Sequence, residues 1–397
     1  MRTGTNHLFI PGPTNVPDDV RRAMNVAQED QRGPDFGRFV LSILDDLKPV
    51  FRTTGTVMLF PGSGTGAWEA AITNTLNPGD RVLMARHGQF STLWAEMAMR
   101  LGLTVDLVDL EWGAGTPVAE FSLRLDADKA REIKAVFVTH NETATGVTSD
   151  VAGVRAAMDA AGHPALLFVD GVSSIGSLDF RMDDWGVDLA VTGSQKGLMC
   201  PAGLGILAVS DKAMAAAKTA TMRRAYFEFN DMGVTAKTGY FPYTPPTPLL
   251  HGLRRALDRI HAEGMDNVIA RHARLAEGVR RGVAAWGLSM CAEDAALQSN
   301  TVTAIRVPDG VDAREVIRIG FERYNASFGS GLSRLSGRVF RIGHLGDLNE
   351  GMCLTALAIA EMALAEAGAR IVFGSGVGAA QAWYAVAHQS SQRLAAE

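Results

Sequence analysis

Over the first two-thirds of the chain, short apolar and β-branched runs alternate with longer stretches whose apolar positions recur at helical spacing. The runs Val57–Phe60, Arg81–Ala85, Thr104–Asp109, Ala135–Thr139, Leu166–Asp170, Leu189–Thr192 and Gly205–Val209 read as strands. Gly66–Leu76 and Val151–Ala161 are two of the helical stretches between them. Most strands are apolar at nearly every position, not at every second one, which is the pattern of strands covered on both faces. The alternation predicts an α/β fold: a mostly parallel sheet of seven strands with helices on both sides.

The pattern breaks at Tyr240–Pro248, where Pro242, Pro245, Pro246 and Pro248 forbid a regular helix. One long amphipathic helix is expected to follow, from about Leu249 to Ala273 or beyond. After Gly287 a second αβ pattern begins, with strands near Thr301–Val307 and Val339–Ile342 and helices near Ala313–Tyr324 and Gly351–Ala365. The expected division is an N-terminal segment over 1–20, a large domain over 21–265 and a smaller C-terminal α/β domain over 266–397.

Composition narrows the function classes. Of 397 residues, 47% are hydrophobic and 20% charged, as in soluble globular proteins, and the net charge of −5 comes without a basic run, so nothing marks a nucleic-acid partner. The apolar stretch Leu8–Ile10 is too short for a signal-peptide core, and no window approaches the length of a membrane span. Cys200, Cys291 and Cys353 are odd in number and far apart, which argues against a disulfide framework and a Cys-x-x-Cys metal site; a cytoplasmic location is expected, and no metal.

Three motifs carry candidate chemistry. Pro61-Gly62-Ser63-Gly64-Thr65-Gly66 joins a strand to a helix, whose free N–H groups and partial positive charge suit a phosphate; alone, the turn reads equally well as a connection with no ligand. Asp170 ends an apolar strand, on the edge where open α/β sheets bind ligands, and could pair with a heterocyclic N–H or simply cap the turn at Ser173 and Ser174. Lys196, in Thr192-Gly193-Ser194-Gln195-Lys196-Gly197, follows another such strand; if desolvated, its amine is available for carbonyl addition, whereas an isolated loop lysine is usually exposed. In this order the three supply contacts for the phosphate, ring nitrogen and aldehyde of pyridoxal phosphate.

The motifs resemble those of the class V aminotransferases of fold type I, in particular the serine–glyoxylate group. The resemblance runs from Phe9-Ile10-Pro11-Gly12-Pro13-Thr14-Asn15 through Gly62–Gly66, His140–Val147, Val169–Ser174, Gly193–Gly197 and Tyr240–Pro246 to Phe340-Arg341-Ile342-Gly343-His344. It implies pyridoxal 5'-phosphate as cofactor, held on Lys196 as a Schiff base, with Lys196 also moving the catalytic proton. It further implies Asp170 on the pyridinium nitrogen, Ser63, Gly64, Thr65 and Gln195 on the phosphate, Thr143 near the ring hydroxyl and Phe90 stacked on the ring, where some relatives have tryptophan. Arg341 would clamp the substrate carboxylate and Gly12 would lie at the substrate mouth. A homodimer, or a dimer of dimers, with shared active sites is implied, Tyr243 and Thr244 reaching the neighbouring phosphate. Relatives place the aromatic slightly earlier, where this chain has Phe241.

The reaction so implied is ping-pong transfer of an amino group from L-serine to glyoxylate, giving hydroxypyruvate and glycine. Aspartate–glyoxylate and alanine–glyoxylate aminotransferases share the cofactor motifs and stay open as alternatives. A cysteine desulfurase would need a mobile, exposed cysteine, and Cys200 and Cys353 fall in packed contexts. A non-catalytic relative would be expected to lack the lysine or the acid. His140 and His344 read as buried, satisfied histidines, His261 and His272 as residues on a helix face, and the Met-rich stretches Ala95–Leu101 and Met214–Met222 as packing.

Overall fold

The computed structural model describes residues 4–394, with side chains through residue 387; residues 1–3 of the N-terminal segment and 395–397 lie outside the described residues. The strands in chain order are β1 (His7–Phe9), β2 (Thr56–Gly62), β3 (Arg81–Arg86), β4 (Thr104–Asp109), β5 (Ile133–Thr139), β6 (Asn141–Glu142), β7 (Val147–Thr148), β8 (Leu166–Asp170), β9 (Leu189–Gly193), β10 (Gly203–Val209), β11 (Val302–Arg306), β12 (Ala326–Ser330) and β13 (Val339–Gly343).

Seven of them form one sheet in the order β2-β10-β9-β8-β5-β3-β4. From β9 to β4 all neighbours are parallel. β10 is antiparallel to both β9 and β2, so β2 points the same way as β9 and six strands end on one edge. Alternate residues feed two cores: Val136, Val138, Leu167 and Val169 pack on one face, Ala135, Phe137, Leu166 and Phe168 on the other. Burial on both faces is why these strands read as continuous apolar runs. β4, at the edge, is largely half-exposed and carries the polar residues Thr104, Asp106 and Asp109.

The second sheet has the order β1-β12-β13-β11 and packs against the helices Met265–Ala285, Glu350–Glu366 and Ser375–Leu394 around Val279, Phe340, Leu357 and Tyr384. β1 lies parallel to β12, with His7 opposite Ala326 and Phe9 opposite Phe328, so the N-terminal segment is tied to the C-terminal sheet.

One expected element is corrected. The long helix from Leu249 is two helices, Thr247–Glu263 and Met265–Ala285, broken at Gly264. Gly264 takes φ 84° and ψ 133°, a conformation outside the helical region and open mainly to glycine. The first helix buries Leu253, Leu257 and Ile260 in the core of the large domain, beside the helices Asp18–Ala23 and Pro34–Phe51; the second buries Leu275, Val279 and Val283 among the C-terminal elements. Helical periodicity continues on both sides of the break, so the pattern alone does not reveal it.

Candidate active site

The shared C-terminal edge of the large sheet brings the three chemical motifs together. Ser63 follows β2, Asp170 ends β8 and Lys196 follows β9, and all three line one cavity of about 310 Å³. Gly12, Gly64, Thr65, Phe90, Thr143 and Gln195 line it too, so these sequence-predicted residues share one site with the first three.

Ser63 is the N-cap of the helix Gly64–Thr75, and its hydroxyl accepts the amide of Gly66 at 3.3 Å. The first-turn amides and the helix dipole then point into the cavity mouth. A side chain at Gly64 would stand 2.6 Å from Cγ2 of Val172, so the turn packs against the loop after β8 only because that position is glycine.

The Asp170 carboxyl is buried, and one oxygen accepts the Val172 amide at 2.9 Å. Burial pushes its pKa up to about 7; the Val172 amide opposes the rise, Glu142 adds to it, and Trp68 and Lys196 oppose it more weakly. Such a carboxyl is suited to a cationic partner entering the cavity. The Trp68 indole N–H is buried with no acceptor at hydrogen-bonding distance, although it lies near enough to favour the Asp170 carboxylate. Oε1 of Gln195 is likewise buried without a partner. An acid in want of a cation and a helix N-terminus in one cavity match a ligand with a ring N–H and a phosphate.

Lys196 is nearly fully buried, and its Nζ donates to the carbonyl of Pro11 at 2.6 Å. Burial, followed by the Arg341 charge, lowers its pKa to about 8, with Asp170 opposing. The segment from β1 to Thr14 lies over it as a strap. Thr14 anchors the strap with its amide to the Gln195 carbonyl and its hydroxyl to the Lys196 carbonyl, both at 3.1 Å. A Cβ at Gly12 would fall 2.5 Å from Nζ.

Thr143 donates its hydroxyl to Ser173 Oγ at 2.7 Å. Arg341, on β13, sits behind it and gives Nη1 to the Thr143 carbonyl and Nε to the Ser330 carbonyl, each at 2.9 Å. Burial lowers the Arg341 pKa to about 10, with Glu142 opposing. Two of its nitrogens are therefore engaged by backbone, and it is not itself a lining residue of the cavity.

Tyr243 and Thr244 are not brought to the cavity of their own chain. Tyr243 stacks on Tyr226 at 4.2 Å and donates to its carbonyl, and Thr244 accepts from Gln31. His140 and His344 are satisfied: His140 bonds Ser174, and His344 bonds Thr303 and the Asn300 carbonyl. His272 lies on the buried face of the helix Met265–Ala285, held by the Val268 carbonyl and the Gly346 amide. All three cysteines are buried. Among the described residues no helix is long and apolar enough to cross a membrane, and no cluster of His, Cys, Asp or Glu could hold a metal ion.

Sequence reasoning missed Trp68, Ser173 and Glu142. Each lies within or beside a motif singled out for a neighbour, and only the tertiary contacts show its place.

Residues 47–333 match the model of the family described as aminotransferase class V. The chain is 58% identical to a serine–glyoxylate aminotransferase of Hyphomicrobium methylovorum over 96% of this chain and 95% of that protein. It is 53% identical to an L-aspartate–glyoxylate aminotransferase of Paracoccus denitrificans over 99% of this chain and 100% of the other. The crystal structure of a pyridoxamine–pyruvate aminotransferase from Mesorhizobium loti superposes with a TM-score of 0.91 at 29% identity, covering 97% of this chain and all of that one.

Proposed function

The chain belongs to the class V aminotransferases, and we propose that it moves the amino group of L-serine to glyoxylate, giving hydroxypyruvate and glycine. The observation that carries this reading is the convergence of Lys196, Asp170 and the Ser63–Thr65 turn on one cavity.

The family's cofactor is pyridoxal 5'-phosphate, which when bound supplies an electron sink for charge developing at the donor's Cα. In our reading Ser63, Gly64 and Thr65 hold its phosphate through first-turn amides and hydroxyls, with the Gln195 amide adding a donor. Asp170 pairs with the ring nitrogen and keeps it protonated. Phe90 covers one face of the ring, and Thr143 bonds the ring hydroxyl.

Lys196 Nζ would hold the cofactor and would serve as the proton carrier at Cα, taking a proton from the donor in the first half of the cycle and returning one to the product amino acid in the second. A pKa near 8 leaves an appreciable fraction of the amine neutral at neutral pH, as a base must be. Arg341 orients the substrate carboxylate, and Gly12, on the strap, keeps the mouth narrow. Tyr243 and Thr244 serve the cavity of a second copy in a homodimer, or in a dimer of dimers. A cytoplasmic location belongs to the same reading. So does the division at residue 265, which the break at Gly264 and the separate core around Val279 and Phe340 support.

The donor assignment rests on the similarity to the serine enzyme and on charge. An aspartate donor needs a second cation for its distal carboxylate, and Lys196 is the only cation among the described residues lining the cavity. The aspartate reading is kept because a relative with that name is 53% identical; alanine as donor meets the same charge argument as serine. Desulfurase chemistry is disfavoured, since burial pushes the Cys200 thiol up to about 12 and that of Cys353 likewise.

The test is the half-reaction. Purified protein loaded with cofactor is mixed with L-serine, L-alanine or L-aspartate, and the loss of visible absorbance and its return with glyoxylate are followed. Serine is expected to be fastest; a clearly faster aspartate reaction would replace the donor.

A further inference from the structure

Glu142 stands outside every role assigned above, yet it is a fully buried acid directly behind two lining residues of the cavity, Phe90 and Thr143. Its carboxylate accepts four donors. The amides of Phe90 and Ser91 approach at 3.0 and 2.9 Å, the Ser91 hydroxyl at 3.1 Å and the amide of Ala144 at 3.1 Å. Phe90 and Ser91 open the helix Gln89–Arg100, whose N-cap, Gly88, has no side chain to offer. Glu142 therefore caps that helix from a strand more than fifty residues away, satisfying orphan amides and facing the positive end of the dipole. The cap needs Gly88 to be glycine: a Cβ there would lie 2.2 Å from Glu142 Cγ.

The other end of the clamp is the turn that begins at Thr143. Oε1 holds the Ala144 amide, and between them Thr143 offers its carbonyl to Arg341 and its hydroxyl to Ser173. One carboxylate thus joins the helix bearing Phe90 to the turn bearing Thr143 and, through it, to Arg341. These three elements come from separate parts of the chain, and no other side chain described above bridges the first two.

We propose that Glu142 is a positioning residue that locks the Phe90 face of the cavity and the Thr143 wall, with Arg341 hydrogen-bonded behind it, into one frame, so that the ring and the substrate carboxylate are held at a fixed mutual orientation. The proposal rests on the reading of Phe90, Thr143 and Arg341 given above. It does not make Glu142 a catalytic residue, because the carboxylate spends its acceptor capacity on protein donors.

The test compares Glu142→Gln with Glu361→Gln. Glu361 is the same device far from the site: a buried carboxylate accepting Trp286 Nε1 and the amides of Gly374 and Gly376. The readouts are thermal stability, the affinity of the apoprotein for pyridoxal phosphate from quenching of its tryptophan fluorescence, and the visible circular dichroism of the bound cofactor, which reports how rigidly the ring is held. Both variants should melt earlier. Glu142→Gln alone should weaken cofactor affinity ~10-fold, in line with the loss of a charged hydrogen-bond acceptor, and reduce the visible dichroism per bound cofactor. Its KM for the amino donor should rise with its kcat falling. Should Glu142→Gln fail to fold, Ser91→Ala removes one of the four donors and is expected to move the same readouts in the same direction by less.

The proposal is overturned if Glu142→Gln, or Ser91→Ala in its place, binds cofactor with unchanged affinity and dichroism, or if Glu361→Gln reproduces the losses. Failure of the wild-type protein to bind the cofactor at all would instead refute the site reading beneath it, so the two failures are separable.

Discussion

Nζ of Lys196 donates a 2.6 Å hydrogen bond to the carbonyl of Pro11, a residue 185 positions earlier in the chain. The amine that chemistry requires is thus held against a backbone strap and not against an acid. On the proposed function, substituting Lys196→Ala removes both the attachment point and the base. Transamination is expected to fall by at least the ~10²–10⁴-fold typical of a lost general base. Borohydride reduction of the loaded wild-type protein should leave a mass label on the peptide containing residue 196, and none in the variant.

Gly12 is the part of the strap nearest that amine. It sits at φ 105°, and a Cβ would stand 2.5 Å from Nζ. Gly12→Ala should therefore strain the backbone by ~1–3 kcal/mol and displace either strap or lysine. A lower melting temperature together with a smaller fraction of borohydride-labelled Lys196 is expected; a variant that labels fully would show that the strap yields without consequence.

Asp170 gives a pH dependence of determinate sign. Its folded pKa, raised by burial to about 7 from the ordinary 3.8, means that the apoprotein binds a proton the unfolded chain releases. The stability this contributes is present below the unfolded pKa and is lost as pH rises through about 7. The variant Asp170→Asn lacks the penalty. Apo Asp170→Asn should melt above the wild-type apoprotein at pH 8, with the gap closing towards pH 4, while its transamination is strongly reduced. Differential scanning calorimetry of both apoproteins across that range checks it.

Lys196 titrates in the opposite sense. Its folded pKa is depressed, so the neutral amine accumulates as pH rises through about 8. Uptake of pyridoxal phosphate by the apoprotein, followed as growth of visible absorbance, should accelerate over that interval. Arg341 is the second cause of the depression after burial. Arg341→Gln should shift the midpoint upward and also raise KM for the amino donor ~10–100-fold, the range for losing a hydrogen bond to a charged group. An unshifted midpoint would mean that burial alone sets the lysine.

Much of this arrangement could be read from the chain because strand ends announce themselves. Asp170 and Lys196 each follow an uninterrupted apolar run, and Ser63 stands between a strand and a helical pattern, so a parallel sheet alone suffices to place them on one edge. Glu142 and Trp68 gave no such signal. Each sits beside a residue with an obvious role, and its partners, Phe90 and Ser91 or Asp170, are brought near only by packing. β1 is three residues long, too short to show a period, and pairs with a strand more than three hundred residues away. Gly264 interrupts a helix whose apolar stripe continues on either side, so only the backbone angles disclose the turn. Tyr243 and Thr244 lie away from their own chain's cavity, and a single chain carries no information on what they would meet.

The pairing of β1 with β12 also sets an order of assembly. On a chain emerging from its N-terminus, His7–Phe9 has no strand to join until Ala326–Phe328 has been made. The large sheet, complete at Val209, can form before then, and of the strap's anchors only the bonds of Thr14 and Pro11 to the Gln195–Lys196 loop are available to it. The strap bearing Gly12 and Pro13 therefore gains its second, N-terminal anchor only when the C-terminal sheet closes, and until then a nascent chain would cover its amine through the Thr14 and Pro11 bonds alone.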